Sequence, residues 1–390
     1  MVPGDFLSPV RDSLFADLRE SHPGCLASSI AIHSEIEGIP EWNNAQLILI
    51  GVLEDRGAIE NGAADAPDEI RKALYQLYPG NWDLKICDLG NIYKGETYRD
   101  TLIALQEITT QLLKQNCTLI IMGGSQDLTF GNYRGYAKLE QTVNMAAIDS
   151  HFDLGGKNEK LNQKNYLSHI ILTQPYLLFN FCSMGYQSYY TIPEEVDLME
   201  RMYFDTVRLG NLRHHTEHAE PLLRDADIVT FDVSAVRRSD APGQHNAGPN
   251  GLSGEEACAL ARYSGISDKV SSFGLYELVP YKDIDHCTAR LAAQMCWYFI
   301  EGFSLRKGDY PFCLKEKYDK FIVLIEDGSH ELVFYKSPYS GRWWIEVPMD
   351  ESFESNHTRH QLIPCNYEDY TLATQNEIPE RWWRAMKKSM

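Results

Sequence analysis

Asp149, His151 and Asp153 place a carboxylate, an imidazole and a second carboxylate at alternate positions, directly after the apolar run 143–148. In extended backbone, residues two apart project to the same side, so the three would line one wall of a cleft. Full extension would leave Asp149 and Asp153 roughly 13 Å apart. Convergence on one ligand therefore needs a bend, which Gly155-Gly156 is placed to provide. This donor set suits a hard or borderline divalent cation such as Mn²⁺. A short acidic loop with one histidine is more often a solvated turn. A second acidic cluster, at another strand end, moves the reading to metal.

The elements that position these residues follow from alternating patterns. Residues 46–53 form a near-continuous apolar run of strand length, as in a strand covered on both faces. A Gly-rich polar loop and a helix opened by Ala66-Pro67 come next, with Pro in the first turn. The alternation predicts strands over 84–89, 118–122, 143–148, 177–182, 206–210, 227–231 and 270–275. Helices are expected over 98–114, 128–139, 193–201, 217–225, 253–264 and 284–302, that over 253–264 behind a capping-box-like Ser253-Gly254-Glu255-Glu256. The fold class is α/β, with helices on both faces of a mainly parallel sheet. Ligands in such sheets sit beyond the carboxyl ends of the strands. Gln126, the 149–153 cluster, Asp232 and Glu277 all fall there.

After Gly308 the pattern changes. Residues 321–325 and 330–335 around Asp327-Gly328 read as a hairpin, 343–347 as a third strand and 379–388 as a terminal helix. The organisation is an N-terminal arm (1–44), an α/β domain (45–308) and a small β-rich extension (309–390). The extension has too little core to stand alone and is expected to pack on the main domain or on another subunit. Its aromatics Tyr335, Trp343 and Trp344 are read as packing.

Composition narrows the function. A formal net charge of −19 over 390 residues argues against nucleic acid or an anionic membrane surface as main partner. The nine cysteines are scattered, with no C-x-x-C pair, which predicts reduced thiols. The N-terminus lacks a basic n-region and an apolar h-region, and no apolar run reaches membrane length. A cytoplasmic location is expected.

Several segments, in order, resemble the ureohydrolase family of arginase, agmatinase and formimidoylglutamase, over roughly residues 46–303. Gly123-Gly124-Ser125-Gln126 is similar to the family's G-G-D-H. Asp149-Ser150-His151-Phe152-Asp153 is similar to D-A-H-x-D, and Phe231-Asp232-Val233-Ser234 to F-D-x-D. Gly274-Leu275-Tyr276-Glu277-Leu278-Val279-Pro280 resembles G-L-D-x-x-E-V-N-P, and Gly62 with Ala66-Pro67-Asp68-Glu69-Ile70-Arg71 resembles G-A-x-x-G-P-x-x-I-R. The resemblance implies a three-layer arginase-like sandwich and a binuclear Mn²⁺ centre that activates water against the central carbon of a guanidino or formimino group. It implies Glu277 as the carboxylate that orients a cationic substrate nitrogen. It also implies a small amidine or amino-acid-like substrate and a homo-oligomer.

The chain departs from that pattern at the site. Gln126 replaces the G-G-D-H histidine, Ser234 replaces the second carboxylate of F-D-x-D, and Arg237-Arg238 stands where Asp-Pro is usual. Carried over residue by residue, one metal position keeps Asp149, Asp153 and Asp232 with Gln126. The other keeps Asp149, His151 and Asp232 with Ser234. Three carboxylates then face up to four positive charges, and Arg237, if it points inward, adds another. Metal affinity is expected to fall, leaving one ion or none bound where the family binds two. His169 stands near the position of a proton-shuttling histidine, and His245, in the loop 242–251, is a candidate for the cleft, as is Arg237 for a substrate carboxylate; Arg71 suits that role equally. His214 and His218 have metal-ligand spacing on a helix in a stretch read as solvated. The expected activity is C–N hydrolysis of a linear amidine. The alternatives are a non-catalytic ligand-binding or assembly module, or a mononuclear hydrolase using Asp149, His151 and Asp232.

Overall fold

The computed structural model describes residues 3–156, 159–325, 328, 330–348 and 361–388. Its strands are β1 (Leu7–Ser8), β2 (Ala31–Ile32), β3 (Leu47–Val52), β4 (Ile86–Ile92), β5 (Thr118–Met122), β6 (Val143–Ile148), β7 (Leu178–Tyr186), β8 (Asp205–Arg208), β9 (Ile228–Asp232) and β10 (Ser272–Tyr276). They form one sheet in the order β1-β4-β3-β5-β10-β9-β6-β7-β8, with β2 also on β4. Only β1 pairs antiparallel; the other pairings are parallel.

Both faces of the sheet are covered, which is why its strands read as unbroken apolar runs. Leu47, Leu49, Ile120, Met122, Ala146, Ile148, Val229 and Phe231 point into one core. Helices α3 (Ala66–Leu74), α10 (Gly254–Ile266) and α11 (Cys287–Ser304) close it. The alternate residues Ile48, Ile50, Leu119 and Ile121 pack on α4 (Tyr98–Leu113). Val143, Met145 and Ala147 pack beside α5 (Leu128–Ala137) and α6 (Tyr166–Leu172). The capping box of α10 forms as the sequence suggests: Glu256 N–H donates to Ser253 Oγ at 3.2 Å and Ser253 N–H to Glu256 Oε2 at 2.7 Å.

Residues 206–210 do not make one strand. Extended backbone ends at Arg208, and α8 (Leu209–His214) follows. Helix α7 (Pro193–Arg201) matches expectation, whereas the helix expected over 217–225 shortens to α9 (Ala219–Arg224) behind a single 3-10 turn. The short α1 (Ala16–Ser21) and α2 (Leu26–Ser29) lie in the N-terminal arm.

A second sheet of four antiparallel strands follows: β11 (Asp319–Ile325), β12 (His330–Lys336), β13 (Trp343–Glu346) and β14 (Leu362–Cys365). The hairpin register pairs Ile325 with His330; Asp327 of the expected turn lies outside the described residues. Helices α12 (Tyr367–Thr374) and α13 (Glu380–Lys388) cover it, burying Ala373 and Trp382 against Ile345 and Ile363. Tyr335, Trp343 and Trp344 are buried, so they pack rather than line a groove. The sheet docks on the main domain through Arg224 of α9. That side chain donates to the carbonyls of Trp343 (3.1 Å) and Cys365 (2.9 Å). Its guanidinium carbon lies 4.3 Å from the Trp344 ring centroid.

Candidate metal centre

Strands β5, β10, β9 and β6 are consecutive neighbours in the sheet, so the tips that carry Gln126, Glu277, Asp232 and Asp149 stand side by side. At about 4.8 Å per strand step, the four tips span roughly 14 Å.

Each tip is shaped locally. After β5, Gly123 and Gly124 turn the chain with φ of +79° and +78°. A Cβ on Gly123 would meet Pro67 of α3 at 2.5 Å, and one on Gly124 the Glu54 carbonyl at 2.5 Å, so only glycine fits. After β6 and β9 each aspartate accepts from the backbone two residues on: His151 N–H to Asp149 Oδ1 at 3.0 Å, and Ser234 N–H to Asp232 Oδ1 at 2.6 Å. Such turns reverse the chain while fixing the carboxylate. The bend expected at Gly155-Gly156 lies at Asp153, whose φ is +54°. Glu277 also adopts positive φ, +66°, a strained conformation for a long side chain.

The carboxyls crowd a buried space. Burial, and then the Asp149 charge, push Asp153 well up; burial with the Asp149 and Glu277 charges does the same to Asp232. Asp149 is also raised, chiefly by burial. Glu277 is pushed up to about 8, first by burial and then by neighbouring aspartates. Asp127, next along from Gln126, rises to about 6 through burial. Among the described residues no lysine or arginine pairs with Asp149, Asp153, Asp232 or Glu277. Arg237 turns away to Asp240 at 2.9 Å, its side chain 37% exposed, because the 237–240 turn puts that carboxylate within its reach.

Two of the candidate ligands carry a buried oxygen without a hydrogen-bond partner. Gln126 Nε2 donates to Thr230 Oγ1 at 2.9 Å and, longer, to Tyr166 Oη at 3.4 Å, but its buried Oε1 accepts from nothing. Asp149 Oδ2 faces no donor either, and its neighbour Asp153 can serve it only by carrying a proton. Buried polar atoms are normally bonded. Orphaned oxygens within a group of acids uncompensated by basic side chains suit a divalent cation by donor type, as amide, carboxylate and imidazole donors suit Mn²⁺, though among the described residues the one group of three whose ligand atoms lie within 4.8 Å of one another is elsewhere, at His215, Glu217 and His218.

The residues expected at a second metal position are less closely grouped. His151 Nδ1 lies 4.0 Å from Asp149 Oδ1 and 2.8 Å from Ser150 Oγ, which is 3.4 Å from Ser234 Oγ. The Ser234 hydroxyl thus faces Ser150. The Tyr190 ring lies flat on His151, with centroids 4.8 Å apart and planes 10° from parallel.

Other candidates stand apart. His169 Nε2 bonds the Glu159 carbonyl at 3.2 Å, and its ring edges onto Phe130. His245 is held by Glu60 (2.8 Å) and the Asn61 carbonyl (3.3 Å). Arg71 is wholly buried in a two-point pair with Asp88 at 2.7 and 2.8 Å, where it ties α3 to β4 and cannot meet a ligand. Sequence reasoning passed over Thr230, Ser150 and Tyr190. Thr230 was legible, two residues before Asp232 on the same strand face; Tyr190 left no signal.

Comparison with known proteins agrees with this architecture. The arginase-family sequence profile matches residues 45–301. Formimidoylglutamase of Staphylococcus aureus (strain MSSA476) is 25% identical over 271 residues, covering 65% of this chain and 85% of the relative. A crystal structure of Trypanosoma cruzi formiminoglutamase with Mn²⁺ superposes with a TM-score of 0.65 at 21% identity, covering 73% of this chain and 99% of that one. Formimidoylglutamase from Bacillus subtilis gives 0.63 at 19% identity over 72% and 92% of the two chains. These solved structures share the fold.

Proposed function

The chain belongs to the arginase family, and on that premise we propose that it hydrolyses a C–N bond in a formimino compound of the formimidoylglutamate type. The similarity to formimidoylglutamases supports that substrate class. The observation that carries the reading is the pair of partnerless oxygens, Gln126 Oε1 and Asp149 Oδ2, within the buried acids at four adjacent strand tips.

In this reading Gln126, Asp149, Asp153 and Asp232 hold the more complete Mn²⁺ position, and His151 with Ser234 supply a poorer second one. Bound Mn²⁺ supplies Lewis acidity and a water of lowered pKa. Glu277 Oε1 accepts the Gln126 N–H at 2.7 Å, which leaves Oε2 to accept from an amidine nitrogen. Its elevated pKa lets it ionise as a cationic amidine enters. Water oxygen bonds to the formimino carbon, and the tetrahedral carbon then releases the amine. The proton that the attacking water gives up passes to the leaving amine, while Asp153 stays ionised as a ligand. The products are formamide and the free amino compound. This reading gives His169, His245 and Arg237 no part in the step, because His169 Nε2, both ring nitrogens of His245 and Arg237 Nε are bonded to other groups.

The test is metal analysis of the purified chain after dialysis against MnCl₂, together with assays on formiminoglutamate, agmatine and arginine. Retained manganese with release of formamide from formiminoglutamate is expected. A chain that retains no manganese and turns over none of the three sinks the proposal and favours the non-catalytic module.

A further inference from the structure

We propose a second, unrelated metal site, where His215, Glu217 and His218 of the main domain, with Glu368 of the C-terminal unit, bind one divalent ion of the zinc class and fasten the two parts together. The ligand atoms of His215, Glu217 and His218 all lie within 4.8 Å of one another. The single turn Thr216–His218 sets this up: His218 N–H donates to the His215 carbonyl at 3.0 Å, and side chains three apart then share a side. The pair is His215 with His218, not His214 with His218 as helical spacing suggests, because α8 ends at His214. The two rings lie parallel, centroids 4.8 Å apart.

Carboxylates flank both imidazoles. His215 Nδ1 is 3.5 Å from Glu217 Oε1, and His218 Nε2 is 3.0 Å from Glu368 Oε2. Ligands about 2.0–2.2 Å from a tetrahedral zinc stand roughly 3.3–3.6 Å apart; the two His–Glu pairs are already near that spacing, while the stacked rings must rotate and Glu368 must close on the other three to share one ion. Two imidazoles with two carboxylates neutralise a doubly charged ion and favour zinc, in contrast to the oxygen-rich strand-tip site. Glu368 lies in the first turn of α12, so an ion held by all four would join the sheet of β11–β14 to the turn before α9.

The test titrates Zn²⁺ into the chelator-treated full chain and into His215→Ala/His218→Ala, with Glu368→Gln as a third protein. The side chains of His215, Glu217 and Glu368 are 59%, 66% and 68% exposed and that of His218 36%, so the fold survives these changes. The expected result is one fewer zinc per chain in the double variant and roughly tenfold weaker binding in Glu368→Gln. In the unaltered chain, zinc should slow hydrogen exchange over 362–374. Equal stoichiometry and affinity in the double variant would overturn the site. Zinc bound with no change from Glu368→Gln and no protection of 362–374 would overturn the fastening.

Discussion

Gln126 Nε2 donates to Thr230 Oγ1 over 2.9 Å, and this bond decides which end of the amide faces the acids. Thr230 is itself oriented, its Oγ1 lying 2.7 Å from Thr129 Oγ1. Thr230→Val keeps the shape of the side chain but deletes the acceptor, so the amide is free to rotate. Residues that orient a ligand are typically worth 10–100-fold in metal affinity. Equilibrium dialysis should show Mn²⁺ affinity falling by about tenfold, with the far-UV circular dichroism unchanged. Unaltered affinity would mean that Oε1 is not a ligand.

Restoring the family pattern should act in the opposite direction. Gln126→His with Ser234→Asp adds a carboxylate beside Asp232 and an imidazole beside Thr230, so two ions meet four ligand carboxylates instead of three. Arg237, already paired with Asp240, offers no opposing charge. Manganese content is expected to rise towards two ions per chain, with faster amidine hydrolysis. No gain in metal content would show that backbone placement, not ligand identity, limits the second position.

The crowded carboxyls make metal-free stability fall as pH rises. Glu277 goes from an ordinary glutamate value of about 4.3 to about 8 in the fold, and Asp153 and Asp232 also move well up. The folded chain thus binds more protons than the unfolded one across this window. The associated stability is complete below about pH 4.3 and is lost as pH climbs through about 8. Mn²⁺ must displace those protons, so its affinity rises over the same range. Thermal midpoints at about pH 6 and about pH 8.5 should fall in EDTA, while the gap between MnCl₂ and EDTA widens. A gap that stays constant would show that these carboxyls do not control binding.

How much of this was legible in the chain depends on how local the cause is. Runs such as Leu47–Val52, Thr118–Met122 and Val143–Ile148 announce themselves because burial on both faces removes polar residues. Strands of two residues, Leu7–Ser8 and Ala31–Ile32, carry no period, and Leu362–Cys365 is masked by Pro364. Asp149, Asp232 and Glu277 could be assigned to strand tips by position alone. That their strands are neighbours is a matter of sheet order, which no short stretch records. The bend at Asp153 escaped because aspartate, not the following glycines, takes the left-handed conformation. Arg237 and His245 misled for a similar reason: Asp240, Glu60 and Asn61 claim them through loop geometry.

Arg224 holds the C-terminal sheet by a geometry that lysine cannot copy. Trp343 and Cys365 face each other across β13 and β14, and the guanidinium fork donates one N–H group to each of their carbonyls. Nε meets Glu220 at 3.1 Å, and Arg342 reaches the same carboxylate at 3.3 Å from the C-terminal side. Breaking a buried pair by removing one partner costs about 3–5 kcal/mol. The shared Arg342 compensates Glu220 in part, so Arg224→Ala should lose about 3 kcal/mol. The loss should be local: amides of β13 and β14 would exchange faster while those of β5 and β6 keep their protection. Arg224→Lys restores the charge but not the planar two-point contact or the stack on Trp344, so it should recover little. Uniformly faster exchange in both sheets would instead make Arg224 a support of the main core, and full recovery with lysine would reduce its role to charge alone.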